Sequence, residues 1–404
     1  MLSSLIRWRS PRRDIASLLS VAPTPIAPGV RRIILEGDGI QVTHGENCDA
    51  AEGDPIAIEE SFDLPDFATQ ATVFLNGWSL EYLEGDHHVW GAATRITNSR
   101  VQGRTLKWKA YGFLLDDGQD DSYKWCYYYT VVAWDSQLIR CTADHNDIEN
   151  TVASTRTSKL PIVSSSSYSH KGGPFLRRSS VVLPRGFVFH LAINDHHLLH
   201  IAYSLMHSEN SITRRKHYGD LPQPDLNDAT DKVGSGFTTW DTNAILQDNT
   251  YRDFVFYHLS STLGGSGVSV VQPPFTILPT RVEANIGSPT RGETTQEVGI
   301  EGVPFDFAVP MLTGWDLRYD FDDEHVKKMG VWLNDIEYEK PKTDEGGTLH
   351  YKITSALHDS DKDPNYSFNH NVHILGFSSR PLVVLANPTG RQDPPNRSAA
   401  DERR

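Results

Sequence analysis

Acidic residues and histidines recur in this 404-residue chain at spacings short enough to share a ligand. Asp86-His87-His88, Asp195-His196-His197 and Asp323-Glu324-His325 each set an Asp and a His two residues apart. On a strand such residues share a face, so Asp86 with His88 could chelate a metal ion. Two ligands per copy do not close a site, and the plainer expectation is that Asp ends a turn and His opens the next strand. No metal site is assigned to this motif. A second group lies in Asp359-Ser360-Asp361-Lys362-Asp363-Pro364-Asn365, where Asp359, Asp361 and Asp363 offer oxygens at alternate positions as calcium sites do. It is not an EF-hand, because Pro364 stands where glycine is required and His370 where a bidentate glutamate belongs. A solvated loop and a calcium site of another kind both fit. Nucleophile elbows, phosphate-binding glycine loops and HExxH helices are missing, and Gly264-Gly265-Ser266-Gly267 lacks the strand and helix that would give it meaning. No catalytic residue is assigned, and the chain is expected not to be an enzyme.

The elements that carry these residues repeat. Gly77-Trp78, Gly186-Phe187 and Gly314-Trp315 are each followed, nine residues after the Gly, by the Asp of one Asp-x-His and then by an aliphatic residue. Downstream, Ala92, Thr94 and Ile96 align with Ile201, Tyr203 and Leu205 and with Met329, Val331 and Leu333. Apolar residues at every second position read as a half-buried strand. The first and third copies also share Thr105 to Tyr123 and Thr348 to Tyr366, with acidic loops inside both. Then Tyr123, Trp125, Tyr127, Tyr129 and Val131 align with Tyr366, Phe368, His370, Val372 and Ile374, while Lys124, Cys126, Tyr128 and Thr130 align with Ser367, Asn369, Asn371 and His373. The first set predicts a core face and the second a face toward solvent or a partner. The middle copy is looser and carries an insertion with Arg214, Arg215, Lys216 and Pro222.

With turn clusters between β-branched and aromatic runs and no helical periodicity, the expected fold is all-β: three tandem small antiparallel β-sandwich units. They span residues 45–140, 165–262 (with the insertion) and 285–380. Linkers are expected at Ser164 to Ser169, Gly264 to Gly267 and from Pro273-Pro274 onward. Residues 1–32 hold six arginines and one acid, a net +5 that leaves −19 on the remainder of a −14 chain. This basic N-terminal segment reads either as a flexible arm or as an organelle-import leader. Residues 387–404, with Pro388, Pro394, Pro395 and four arginines, read as a disordered tail. The acidic balance argues against a nucleic-acid partner, and no run reaches the ~18 apolar residues of a membrane span. Three cysteines, Cys48, Cys126 and Cys141, allow at most one bridge. The sequons at Asn365 and Asn396 do not decide the compartment.

The order of elements in each unit resembles the H-type lectin domain, the small sandwich of snail agglutinins. In the first unit the likeness runs from Val73-Phe74-Leu75 into Leu80-Glu81-Tyr82, through Ala92 to Ile96 and Thr105 to Tyr111, and from Tyr123 to Val131-Val132-Ala133-Trp134. The resemblance implies trimers or hexamers that bind N-acetylgalactosamine-type sugars between neighbouring subunits. It implies sugar contacts from a Gly and an acid before the first core strand, a basic residue on the second strand, and a Trp-His pair before the last. In the third unit these positions fall on Gly292, Glu293, Lys328 and Leu357-His358, with Leu357 in place of the stacking aromatic. The first unit offers Gly91 and Leu115-Asp116 at the last two positions, the second His200 and Leu246-Gln247, and neither keeps the set. Two functions follow. One is a non-catalytic carbohydrate-binding protein. The other is a structural or adhesive subunit of a surface, virion or injection-type assembly, in which the units form a pseudo-trimer. The partners are accordingly glycans or other protein subunits, an oligomer is consistent with either, and an extracellular or surface location is favoured over an organelle.

Overall fold

The computed structural model describes residues 24–25, most of 29–135, the strands between 141 and 278, and most of 292–377. In the middle stretch, side chains are described for 183–189 and 200–203. The segment before residue 24, the insertion around Arg214 and the tail from 387 lie outside the described residues, as do Asp195, His196, His197 and Asp323.

Every regular element among the described residues is a strand. Two lead-in strands, β1 (Thr24–Pro25) and β2 (Arg31–Gly37), precede three sets of six. The first set is β3 (Ile40–Glu52), β4 (Ile56–Asp63), β5 (Gln70–Tyr82), β6 (Gly91–Gln102), β7 (Thr105–Leu115) and β8 (Ser122–Trp134). The second is β9 (Cys141–Ser154), β10 (Ile162–His170), β11 (Phe175–Leu191), β12 (Leu198–His207), β13 (Thr238–Asp248) and β14 (Phe254–Ser266). The third is β15 (Phe275–Leu278), β16 (Glu293–Val303), β17 (Phe307–Tyr319), β18 (Lys328–Glu339), β19 (Gly347–His358) and β20 (Tyr366–Phe377). Pairing is antiparallel apart from β1 beside β4.

The strands form three sheets, ordered β1-β4-β7-β6-β11-β14-β9, β10-β13-β12-β17-β20-β15 and β16-β19-β18-β5-β8-β3-β2. Each sheet joins the second, fifth and fourth strands of one set to the third, sixth and first of the next. The third set returns to the first, so the exchange is cyclic. It crosses three seams of five residue pairs each, β6 with β11, β12 with β17 and β18 with β5.

The repeated Gly-aromatic pair is explained at these seams. Gly186 opposes Arg95, Gly314 opposes Ser204 and Gly77 opposes Trp332. A Cβ on Gly77 would overlap the Cα and Cβ of Trp332, and one on Gly186 would overlap Arg95 and Thr94, so only glycine admits the neighbouring strand. One residue before each glycine the register slips, leaving Asn76, Arg185 and Thr313 at buried bulges. The aromatics that follow meet each other: ring centroids lie 4.8 Å apart for Trp78 and Phe187, 5.7 Å for Trp78 and Trp315, and 5.3 Å for Phe187 and Trp315. The two pairs made by Trp78 are edge-to-face and the third is tilted, and aromatic pairs of this kind add about 0.5–1.5 kcal/mol each beyond their buried area.

The alternation expected for β8 and β20 holds on the core side, where Tyr123, Trp125, Tyr127, Tyr129, Tyr366, Phe368 and His370 are all buried. The other face of β8 differs from expectation. Lys124 is exposed, but Cys126, Tyr128 and Thr130 are buried, because β8 sits inside a seven-stranded sheet beside a seam. Trp332 from β18 stacks on Tyr128 at 5.4 Å, and Thr130 accepts a hydrogen bond from Asn76 at 3.0 Å. Asn76 also accepts from the Leu312 amide at 2.7 Å, tying the first set to the third.

Several stretches read as arm or linker are strands. Arg31 and Arg32, the end of the expected arm, open β2. Arg31 donates to the buried Glu60 carboxylate at 2.6 Å and to Tyr129 at 2.9 Å, while Asn47 and Tyr127 donate to the same carboxylate. Ser164 to Ser169 lie in β10, an edge strand paired only with β13, where a polar run needs no second partner. Gly264 to Ser266 close β14. β9 begins at Cys141 and β15 at Phe275, upstream of residues 165 and 285.

Candidate functional site

Of the four residues singled out for ligand binding, three lie on three neighbouring strands of one sheet and Gly292 stands just before the first of them. Gly292 precedes β16 with φ of 67°, a left-handed conformation, and a Cβ there would meet nothing within 4 Å. Glu293 opens β16 opposite Ala356, Lys328 opens β18, and His358 closes β19 directly opposite Lys328. The Lys328 ammonium donates to Glu293 Oε2 at 2.6 Å and lies 3.7 Å from Glu81 Oε2 across the β18–β5 seam. It also sits over the Trp332 ring, 5.5 Å from the centroid. The side chains of Glu293 and Glu81 are 44% and 34% exposed, so both carboxylates keep lone pairs for a ligand. His358 Nδ1 contacts the Asp359 carbonyl at 3.1 Å. A carbonyl only accepts, so Nδ1 is the donor in that contact. Leu357 faces the core and is buried, so no aromatic ring stands beside His358 in the sequence at this point.

The corresponding positions of the other sets are engaged differently. His200 Nε2 lies 2.7 Å from Asp316 Oδ1 across the β12–β17 seam, and Gly91 opposes His190. In the acidic loop of the third set, Asp359 is buried, and Asp361 and Asp363 lie outside the described residues.

Asp86 and His88 do not point at a shared ion. Asp86 Oδ2 accepts from the Ser360 amide at 3.0 Å and its hydroxyl at 2.6 Å. Partial burial works to raise the Asp86 pKa, but Ser360 and the nearby His325 hold it below the ordinary value. The His88 ring stacks on His325 at 4.3 Å with an interplanar angle of 10°. His87, between them, pairs its backbone with Val326. Among the described residues, one group of His, Asp and Glu could gather around an ion, His87 with Asp116 and Asp121. The sequence names His87 only as the middle of its motif and Tyr128 only as part of an outward face, and nothing in pattern or spacing points to Trp332. The acidic loop that supplies Asp116 and Asp121 was the available signal for His87.

Comparison with protein-family models, curated proteins and solved structures finds no match for this chain.

Proposed function

We propose that the chain is a non-catalytic, lectin-like carbohydrate-binding protein whose three H-type-lectin-like β-sandwich units close on one another as a pseudo-trimer within one polypeptide. The observation that carries this reading is the grouping of Glu293, Lys328 and His358 at the end of one sheet, with Glu81 reaching them across a seam. Fixed carboxylate acceptors, an ammonium donor and an imidazole are the chemistry that sugar hydroxyls require, and the H-type resemblance implies a site between neighbouring units. The Trp332 ring under Lys328 is buried against Tyr128, so the site offers hydrogen-bonding groups without a stacking ring at Leu357. One site per chain is weak, and several chains in an oligomer would add avidity. The disulfide between Cys48 and Cys126 supports an oxidising, extracellular or surface location.

A second reading has its own support. The repeated Gly-aromatic motif goes into seams and a central aromatic cluster, which is what a structural or adhesive subunit needs. A glycan array separates the two. Binding to N-acetylgalactosamine-type glycans that falls at least ~10-fold in Lys328→Ala and His358→Ala supports the lectin reading. Silence of the folded wild-type chain across the array supports the structural one.

A further inference from the structure

The geometry points to a divalent transition-metal site, of the zinc class, formed by His87, Asp116 and Asp121 of the first set, independent of the carbohydrate reading. One ligand atom from each residue lies within 4.8 Å of the other two, and His87 Nδ1 is 2.8 Å from Asp121 Oδ2. Three such ligands around a zinc ion at about 2.1 Å would stand about 3.0–3.4 Å apart, so small side-chain rotations suffice.

The other ring nitrogen decides what His87 presents to the carboxylates. Nε2 lies 2.9 Å from the Glu84 carbonyl, an acceptor outside the group, so Nε2 carries the proton. In the neutral ring Nδ1 is then a bare lone pair, 2.8 Å from a carboxylate oxygen. Two lone pairs at that distance must share a proton or a metal ion. A histidine whose far nitrogen donates to a backbone carbonyl is also the usual arrangement of a metal-bound imidazole.

The three residues stand at pinned points. The His87 amide donates to Val326 O at 3.2 Å and its carbonyl accepts from Val326 N at 2.9 Å. Asp116 follows Leu115, whose carbonyl accepts from the Trp90 amide at 2.7 Å, and the Asp121 carbonyl accepts from the Gly53 amide at 3.2 Å. Ligands at element ends held this way keep their spacing. Only the first repeat carries the set. The aligned residues are His196, Gln247 and Asn249 in the second repeat and Glu324, Asp359 and Pro364 in the third. A scaffold function common to the repeats would not single out one of them. An imidazole with two carboxylates suits zinc, manganese or iron(II), and calcium, which prefers an all-oxygen shell, suits it poorly.

The test uses the full chain stripped with a chelator and titrated with zinc chloride by calorimetry, with thermal unfolding recorded with and without the metal. One tight site per chain is expected. It weakens at least ~10-fold in His87→Gln and in Asp121→Asn, and is unchanged in His350→Ala, an exposed histidine on β19. Zinc should raise the melting temperature of the wild type and of His350→Ala only. Each variant is compared with itself without metal, so a loss of stability on substitution does not mimic a loss of binding. Equal zinc affinity in His87→Gln and Asp121→Asn, no tight site in the wild type, or tighter binding of calcium than of zinc would each overturn the assignment. The His87–Asp121 contact would then be a protonated ion pair.

Discussion

Buried histidines make this chain sensitive to acid. His44 on β3 is half-buried with its ring Nδ1 enclosed, and this desolvation pushes its pKa down to about 4 despite a hydrogen bond with the Leu333 backbone; Arg32 adds to the lowering. His370 on β20, stacked on Phe368 at 5.7 Å, is lowered by burial to about 4 as well. Both rings are neutral in the folded state, whereas unfolded histidines titrate near 6.5. Between these values the unfolded chain binds more protons, so the stabilisation is complete above about pH 6.5 and is lost as pH falls toward 4. The expected loss is on the order of 2–3 kcal/mol per histidine. Urea unfolding at pH 7.5 and pH 4.5 checks this, and His370→Phe, which has no proton to gain, should flatten the decline. An equal pH slope in the variant would remove His370 from the account.

Between strands, the seams carry what the repeated motif encodes. Gly77 and Trp332 come from β5 and β18, and their backbones approach so closely that a methyl group has no space. The neighbour is a strand backbone in a buried sheet, which cannot swing aside as a surface side chain would. Gly77→Ala should therefore cost about 1–3 kcal/mol or more, as overpacked cores do. Gly103→Ala, at a turn with nothing within 4 Å, gives the contrasting case, in which positive φ alone sets a smaller cost. Denaturant midpoints of the two variants measure the difference. Similar losses would mean that backbone conformation, not the close approach, selects glycine at Gly77.

In the molecule as a whole, the β18–β5 seam joins residues some 250 positions apart and closes the cycle of sheets. A chain ending after β14 would lose both β18 and β17, leaving β5 and β12 each with an unpaired side. Open edges of this kind associate. Such a truncation is expected to form soluble oligomers or aggregates rather than a monomer with a cooperative melt, as size-exclusion chromatography with light scattering would report. A well-behaved truncated monomer would mean that the sets are self-sufficient and the seams secondary.

Much of this was legible along the chain. The period-two pattern of Tyr123 to Val131 and of Tyr366 to Ile374 specifies strands with a buried face, because alternation is local and needs no knowledge of partners. The recurrence of Gly-aromatic and Asp-x-His likewise marked a repeat, and three cysteines limited the bridges to one. Partners were not legible. That β8 is covered on both faces, that β2 plugs its arginine onto Glu60, and that Cys48 bonds Cys126 all follow from pairings between distant strands. The motif shows the division clearly. Its glycine and aromatic were visible as a pattern, yet their purpose lies in a seam between different sets. Composition and periodicity act on neighbours in the chain and fix the kind of element. Which strand lies beside which depends on burial and close packing between residues far apart, and that is decided only when the sheets close.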